Sequence, residues 1–251
     1  VDCWAEERIV ARILDARPDD AVLAEEGAGV VGTSGVRWLV DPIDGTTNFV
    51  YGHPGFSVSI GVEVDNRPVA GVVIDPLLGD EFCAAHGQGA TRNGRPVRVS
   101  SVDDPAAALV ATGFGYDSER RRRQAEALVT ILPRVRDVRR VGGAALDLAS
   151  VSCGRVDAYF EWGLSPWDCS AGSVLVAERN ITALKVMDRE IKSGKKNLGI
   201  FYGAAHLPDF DARLTKELGF QRAETSWNTA WKIQKAAGKN TTKTESQNKD
   251  S

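Results

Sequence analysis

The sequence predicts an α/β fold of the layered α+β kind, sheets and helices packed as a sandwich, and three features carry that prediction. Residues 2–14 have the spacing of an amphipathic helix, with Trp4, Ile9, Ile13 and Leu14 among the apolar positions. Residues 56–99 read as strands separated by turn-forming residues. From residue 107 onward, apolar strands alternate with helix-period stretches, the pattern of a layered domain.

In order, a polar turn at Arg17-Pro18-Asp19-Asp20 leads into a short strand, residues 21–24, that delivers Glu25 and Glu26 at its end. Residues 36–40 form a second strand running straight into Asp41. Strands at 56–64, 68–74 and 81–85 make an antiparallel meander, broken at Asp65-Asn66-Arg67, Leu77-Leu78-Gly79-Asp80 and Asn93-Gly94. A strand at 107–112 and a helix at 118–132 follow. Gly142-Gly143 opens a second helix, 144–153. A strand at 156–161 and a helix at 168–178 complete the pattern.

Composition narrows the function. The 251 residues carry a net charge of −3, so no positive field argues for nucleic acid or an anionic membrane, and a small molecule is the expected partner. No apolar run reaches the roughly 18 residues of a membrane span, and the first residues do not resemble a signal peptide, which points to a soluble cytoplasmic protein. Cys3, Cys83, Cys153 and Cys169 are too scattered for a CxxC pair or a compact disulfide framework. With only His53, His86 and His206, a His-rich zinc site is excluded, so any metal is held mainly by oxygen.

Usage of basic residues breaks near residue 179. Residues 1–178 contain 17 Arg and no Lys, whereas residues 179–251 contain 4 Arg and 10 Lys. This divides the chain into a region 1–178, a foreign α/β segment 179–235 and a polar tail 236–251 expected to be disordered.

The chemistry centres on Asp41-Pro42-Ile43-Asp44-Gly45-Thr46-Thr47, at the end of a hydrophobic strand. Two carboxylates held about 4 Å apart repel by roughly 4 kcal/mol at an effective dielectric near 20, so the pair needs a cation or a proton. Oxygen donors without His or Cys favour Mg²⁺, with Glu25 as a third carboxylate. Gly45-Thr46-Thr47 can cradle a phosphate through free amides. A plainer reading remains beside this one, with Asp41 as a turn residue and Asp44 and Asp168 as helix N-caps. In the same way Glu161 can be a solvated strand end, Gly142-Gly143 a turn, and Arg120 to Arg123 a solvated helix face.

The run from Trp38 to Phe49 resembles the first signature of the inositol monophosphatase family, and Trp167-Asp168-Cys169-Ser170-Ala171-Gly172 resembles its second. Val141 to Ala149 and Asp157 to Glu161 resemble its substrate-side segments. The resemblance implies a Mg²⁺-dependent, Li⁺-sensitive phosphomonoesterase. Glu25, Asp41, Asp44, Asp168 and the Ile43 carbonyl would ligate metal. Thr46, held by Asp2, would orient the attacking water, and Glu25 would help activate it. Gly45, Thr46 and Thr47 would receive the phosphate; Gly142, Gly143, Ala144 and Glu161 would meet the polyol, with Asp44 and Asp168 also on the substrate side.

The resemblance covers about residues 1–178 and lacks both ends of the family pattern. Members of the family commonly dimerise, so the resemblance leaves a homodimer as an open expectation. Residues 180–233 resemble the end of a TraB-type protein, with a strand at 198–202, His206 in the following turn, a helix at 209–218 and a small core of Phe220, Trp227 and Trp231. The expected substrate is myo-inositol 1-phosphate. Fructose bisphosphatase, histidinol-phosphatase and nucleotide 3'-phosphatase activities stay open beside it. So do a non-catalytic chimera that keeps the ligands and a TraB-like interaction or protease-like module.

Overall fold

In the computed structural model the described residues are 1–177. The expectations for the TraB-like segment, its strand, helix and aromatic core, His206 and the polar tail lie outside them.

The first helix, α1 (Asp2–Ala16), turns Val10 and Ile13 onto the strands β1 (Ala21–Ala24) and β3 (Val36–Asp44), where they pack with Val22, Ala24 and Val40. A short strand β2 (Gly29–Val30) borders β1, and β1 and β3 run parallel. The meander then continues antiparallel through β4 (Ser57–Val64), β5 (Arg67–Asp75), β6 (Asp80–Ala85), β7 (Gly89–Arg92) and β8 (Arg95–Pro96). Its strand order is β2-β1-β3-β4-β5-β6-β7-β8.

Strands β9 (Leu109–Thr112), β10 (Asp137–Arg139) and β11 (Ala158–Phe160) form a smaller, wholly parallel sheet in the order β10-β9-β11. Helix α3 (Ser118–Ile131) follows β9, capped by Asp117. Helix α4 (Ala144–Ser152) and a last helix, α5 (residues 166–177), lie between the two sheets. On one side Ala145, Leu146, Ala149, Ala171, Val174 and Leu175 meet Val73 and Phe82 of the large sheet. On the other, Val151 and Val176 meet Ala111 of the small one. Burial between two apolar sheet faces explains why α4 has little polar surface.

The approach of α5 to the large sheet is close enough to dictate sequence. Gly61 and Gly71 face each other across β4 and β5. A Cβ on Gly71 would lie 2.6 Å from Ala171 Cα, and one on Gly61 would lie 2.5 Å from Ser170 Oγ. Only glycine lets the helix backbone settle there.

Several expected boundaries differ. Strand β3 does not stop before Asp41 but runs on to Asp44, and its pairing with β4 slips between Asp41 and Asp44. Pro42 lacks an N–H and falls within this irregularity, where no ladder bond is needed. Residues 46–51 form a short helix, α2 (Thr46–Tyr51), entered through Gly45 at φ +85°. Helix α5 starts at residue 166, before Asp168, because Pro166 fits the first helical position. No helix among the described residues is long and apolar enough to cross a membrane.

Candidate active site

The site lies where two sets of parallel strands point their carboxyl ends at one space. In the large sheet Ala24 pairs with Val40, so Glu25 and Asp41 emerge side by side, and Glu25 N donates to Val40 O at 3.1 Å. In the small sheet β9 and β11 end level and β10 one residue short of them, followed by Gly113, Glu161 and Arg140 respectively. These ends enclose a cavity of about 270 Å³, lined also by Asp44, Gly45, Thr46, Asp147 and Asp168. Crevices at the carboxyl ends of parallel strands are where α/β folds place their ligands.

The irregularity in β3 makes the acidic pair. In a regular strand, residues three apart point to opposite faces. The extra residue between Asp41 and Asp44 restores a common side, and both reach the cavity. Asp44 is also fixed from α4: Ala144 N donates to its Oδ1 at 3.1 Å, Ala145 N to its Oδ2 at 2.8 Å, and Ser57 Oγ to Oδ2 at 3.3 Å. It is the capping carboxylate of a helix 100 residues away in the chain. A Cβ at Gly143 would stand 2.7 Å from Asp44 Oδ2, which accounts for glycine there.

Neighbouring loops are held as firmly. Glu6 of α1 is buried and accepts from Glu26 N at 2.7 Å and Ala28 N at 2.9 Å, pinning the turn after Glu25. Asn48 Nδ2 donates to the carbonyls of Pro54, Gly55 and Val141, joining α2 to the loop before Gly142. Asp168 accepts from Ser165 N at 2.6 Å, the back-bond of a residue at the third position of a helix, rather than serving as the N-cap itself.

Burial drives the carboxyls toward their protonated forms. Asp41 lies well above the usual carboxylate range, through burial and then the charges of Asp44 and Glu25. Asp44 is pushed up to about 7 by burial, against the stabilising amides of Ala145 and Ala144. Burial likewise raises Glu25, Asp168 and Glu161. Asp41 Oδ1 is sealed from solvent and accepts no hydrogen bond. An all-oxygen donor set with an unpartnered buried carboxylate oxygen suits a hard divalent cation. Among the described residues no three Asp, Glu, His or Cys side chains close to ion-binding distance, so the fit rests on donor chemistry and not on a formed shell.

Of the residues singled out in the sequence, Glu25, Asp41, Ile43, Asp44, Gly45, Thr46, Gly142, Gly143, Ala144, Glu161 and Asp168 line the cavity. Thr47 lies outside it, exposed, with its hydroxyl donating to Tyr116 OH at 3.3 Å. Asp2 also lies outside. Its charge acts on Glu25, while the Thr46 hydroxyl donates to Ile43 O at 3.0 Å. Arg120 stays exposed, as expected for residues 120–123, and also lines the cavity, its Nη1 donating to Gly163 O at 3.1 Å. The signal for it was the set of small residues that make room: a Cβ at Gly115 or Gly163 would lie within 2.6 Å of the Arg120 side chain. Arg140, Asp147 and Tyr116 line the cavity too, with no comparable signal.

A layered α/β protein with an acidic cavity built on a strand-borne Asp pair and two helix N-termini is thereby defined as a class. The chain belongs to the inositol monophosphatase family, whose sequence profile matches residues 1–216 and so runs past the compositional break at residue 179. It is 46% identical over 193 residues to the inositol-1-monophosphatase of Mycobacterium bovis, covering 73% of this chain and 67% of that protein. It is 42% identical over 179 residues to the Nus factor SuhB of Xylella fastidiosa, covering 71% of this chain and 65% of that protein. Among solved structures, inositol monophosphatase from Anabaena superposes with a TM-score of 0.67 at 40% identity, covering 71% of this chain and 72% of that one. The chain thus spans about two thirds of the length of these curated relatives.

Proposed function

We propose that the chain hydrolyses a phosphate monoester, with myo-inositol 1-phosphate as its leading substrate, in a Mg²⁺-dependent and Li⁺-sensitive reaction. The observation that carries this reading is the convergence of Glu25, Asp41, Asp44 and Asp168 with the Gly45-Thr46 turn on one cavity. The carboxylates and the Ile43 carbonyl would hold the metal, which when bound supplies charge neutralisation at the phosphate and a water of lowered pKa.

The chain's own residues do the rest. Gly45 and Thr46 present the start of α2 to the phosphate. Thr46, tied to Ile43 O, orients the water at the ester, and Glu25, level with Asp41, accepts its proton. Glu161 meets the polyol. Gly142, Gly143 and Ala144 shape the adjoining wall, since the Ala144 amide is committed to Asp44.

The test is phosphate release from myo-inositol 1-phosphate with and without Mg²⁺. Turnover should stop on chelation and fall about 100-fold or more in Asp44→Asn, as expected when a ligand that also holds a helix is neutralised. A folded chain that releases no phosphate from any monoester in Mg²⁺ would refute the reading. The name Nus factor carried by the Xylella relative supports a second reading, a Nus-factor role. With a net charge of −3 that role would run through protein contacts, and it predicts association with the host transcription machinery that survives Asp44→Asn.

A further inference from the structure

One buried acid in the cavity has no task in the chemistry above. Asp147 sits in the first turn of α4, its own N–H donating to Gly143 O at 3.1 Å, and is only 2% exposed. Its Oδ1 is sealed from solvent and accepts no hydrogen bond, yet the residue lines the cavity. The rest of α4 that is buried is mostly alanine, leucine and valine, so an unpaired carboxyl here is a costly choice for a packing position.

Its surroundings show what it faces. Glu161, at the end of β11, accepts from Tyr159 OH at 2.7 Å, which fixes its carboxyl. Gly113 leaves it room, since a Cβ there would come within 1.8 Å of Glu161 Oε2. The charges of Asp44 and then Glu161 act on Asp147, and Arg140 is a compensating cation for both Asp147 and Glu161. Two carboxyls from different elements and two guanidiniums, Arg140 beside both and Arg120 acting on Glu161, therefore line the same cavity. That mixture of acceptors and donors suits hydroxyl groups, which can both donate to the carboxyls and accept from the guanidiniums.

We propose that Asp147 is a specificity-determining residue, which with Glu161 takes the hydroxyls of a neutral polyhydroxylated leaving group. The assignment rests on the phosphatase reading and adds a substrate-selecting residue beyond those that the resemblance implies. A site built to pair hydroxyls discriminates strongly against esters that lack them, because its buried polar groups are then left unpaired.

The test compares kcat/KM for myo-inositol 1-phosphate with that for 4-nitrophenyl phosphate, on the full chain in Mg²⁺, for wild type, Asp147→Ala and Asp147→Asn. In Asp147→Ala the ratio should fall about 10- to 100-fold, carried by a higher KM for the inositol ester, as loss of one or two hydrogen bonds implies. Asp147→Asn keeps the shape and one acceptor oxygen and should fall between the two. A ratio unchanged in the variants, with both esters slowed together or neither affected, overturns the proposal. Should Asp147→Ala fail to fold, the ratio in Asp147→Asn decides on the same terms. A wild-type chain that turns over neither ester would instead refute the phosphatase reading itself, so the two failures are distinct.

Discussion

Asp44 does two jobs with one carboxylate, and substitutions there will not separate them cleanly. In Asp44→Asn the side chain can still accept one helix amide but leaves the other facing an NH₂ group, so stability should fall together with turnover. Glu6 separates stability from chemistry better. Glu6→Ala removes both bonds to the turn after Glu25, and urea unfolding should register a loss of about 3 kcal/mol, with kcat reduced although Glu6 touches no substrate. An unchanged kcat would mean that Glu25 holds its position without help. The acids of the DxxDGT run and Glu25 were legible in the sequence because residue type, spacing and strand ends marked them, whereas Asp168 was singled out only by its resemblance to a family signature. Glu6, Asn48 and Asp147 were not, because a lone polar residue in a helix acquires meaning only from the loop or cavity that folding brings to it.

Among the elements, the helix–sheet seam at Gly61 and Gly71 should be the least forgiving. A methyl at Gly71 meets the Ala171 backbone, which cannot rotate aside, so Gly71→Ala should cost about 1–3 kcal/mol in denaturant unfolding. Because α5 carries Asp168, the same variant should also lower turnover. The antiparallel meander was readable from alternation and its turn residues. Strands β7, β8 and β10 were not, since two to four residues are too few to show a period. The extension of β3 through Asp44 was hidden by Pro42, which reads as a strand terminator unless a bulge removes the need for its N–H. That bulge makes the site sensitive to length as well as identity. Deleting Ile43 should turn Asp44 away from Asp41 and abolish turnover, whereas Ile43→Val, at the same length, should be tolerated in the phosphate-release assay.

At the scale of the molecule, the buried acids set the response to pH. Asp44 at about 7 and Asp147 at about 8 hold protons in the folded state that the unfolded chain releases near pH 4. The metal-free protein should therefore lose stability as pH rises from about 4 to about 8, and Mg²⁺ should reduce that loss, read as melting temperature against pH. Asp20 has the opposite sign. Bonds from Ser34, Trp38 and Arg17 hold its carboxyl down to about 2, so its contribution is complete above about pH 4 and disappears as pH falls through 2. The layered class was legible because strands and helices alternate. The meeting of two parallel sets of strand ends was not, since no local pattern encodes which ends share a space. That meeting joins residue 25 to residue 168 through a single cavity, so whatever fills it fastens both sheets and the helices between them at once. The chain's melting temperature then doubles as a gauge of its own ligand: a compound present at 100 times its Kd adds about 2.7 kcal/mol to the whole fold. Screening polyol phosphates by thermal shift would rank substrates without a single turnover being measured.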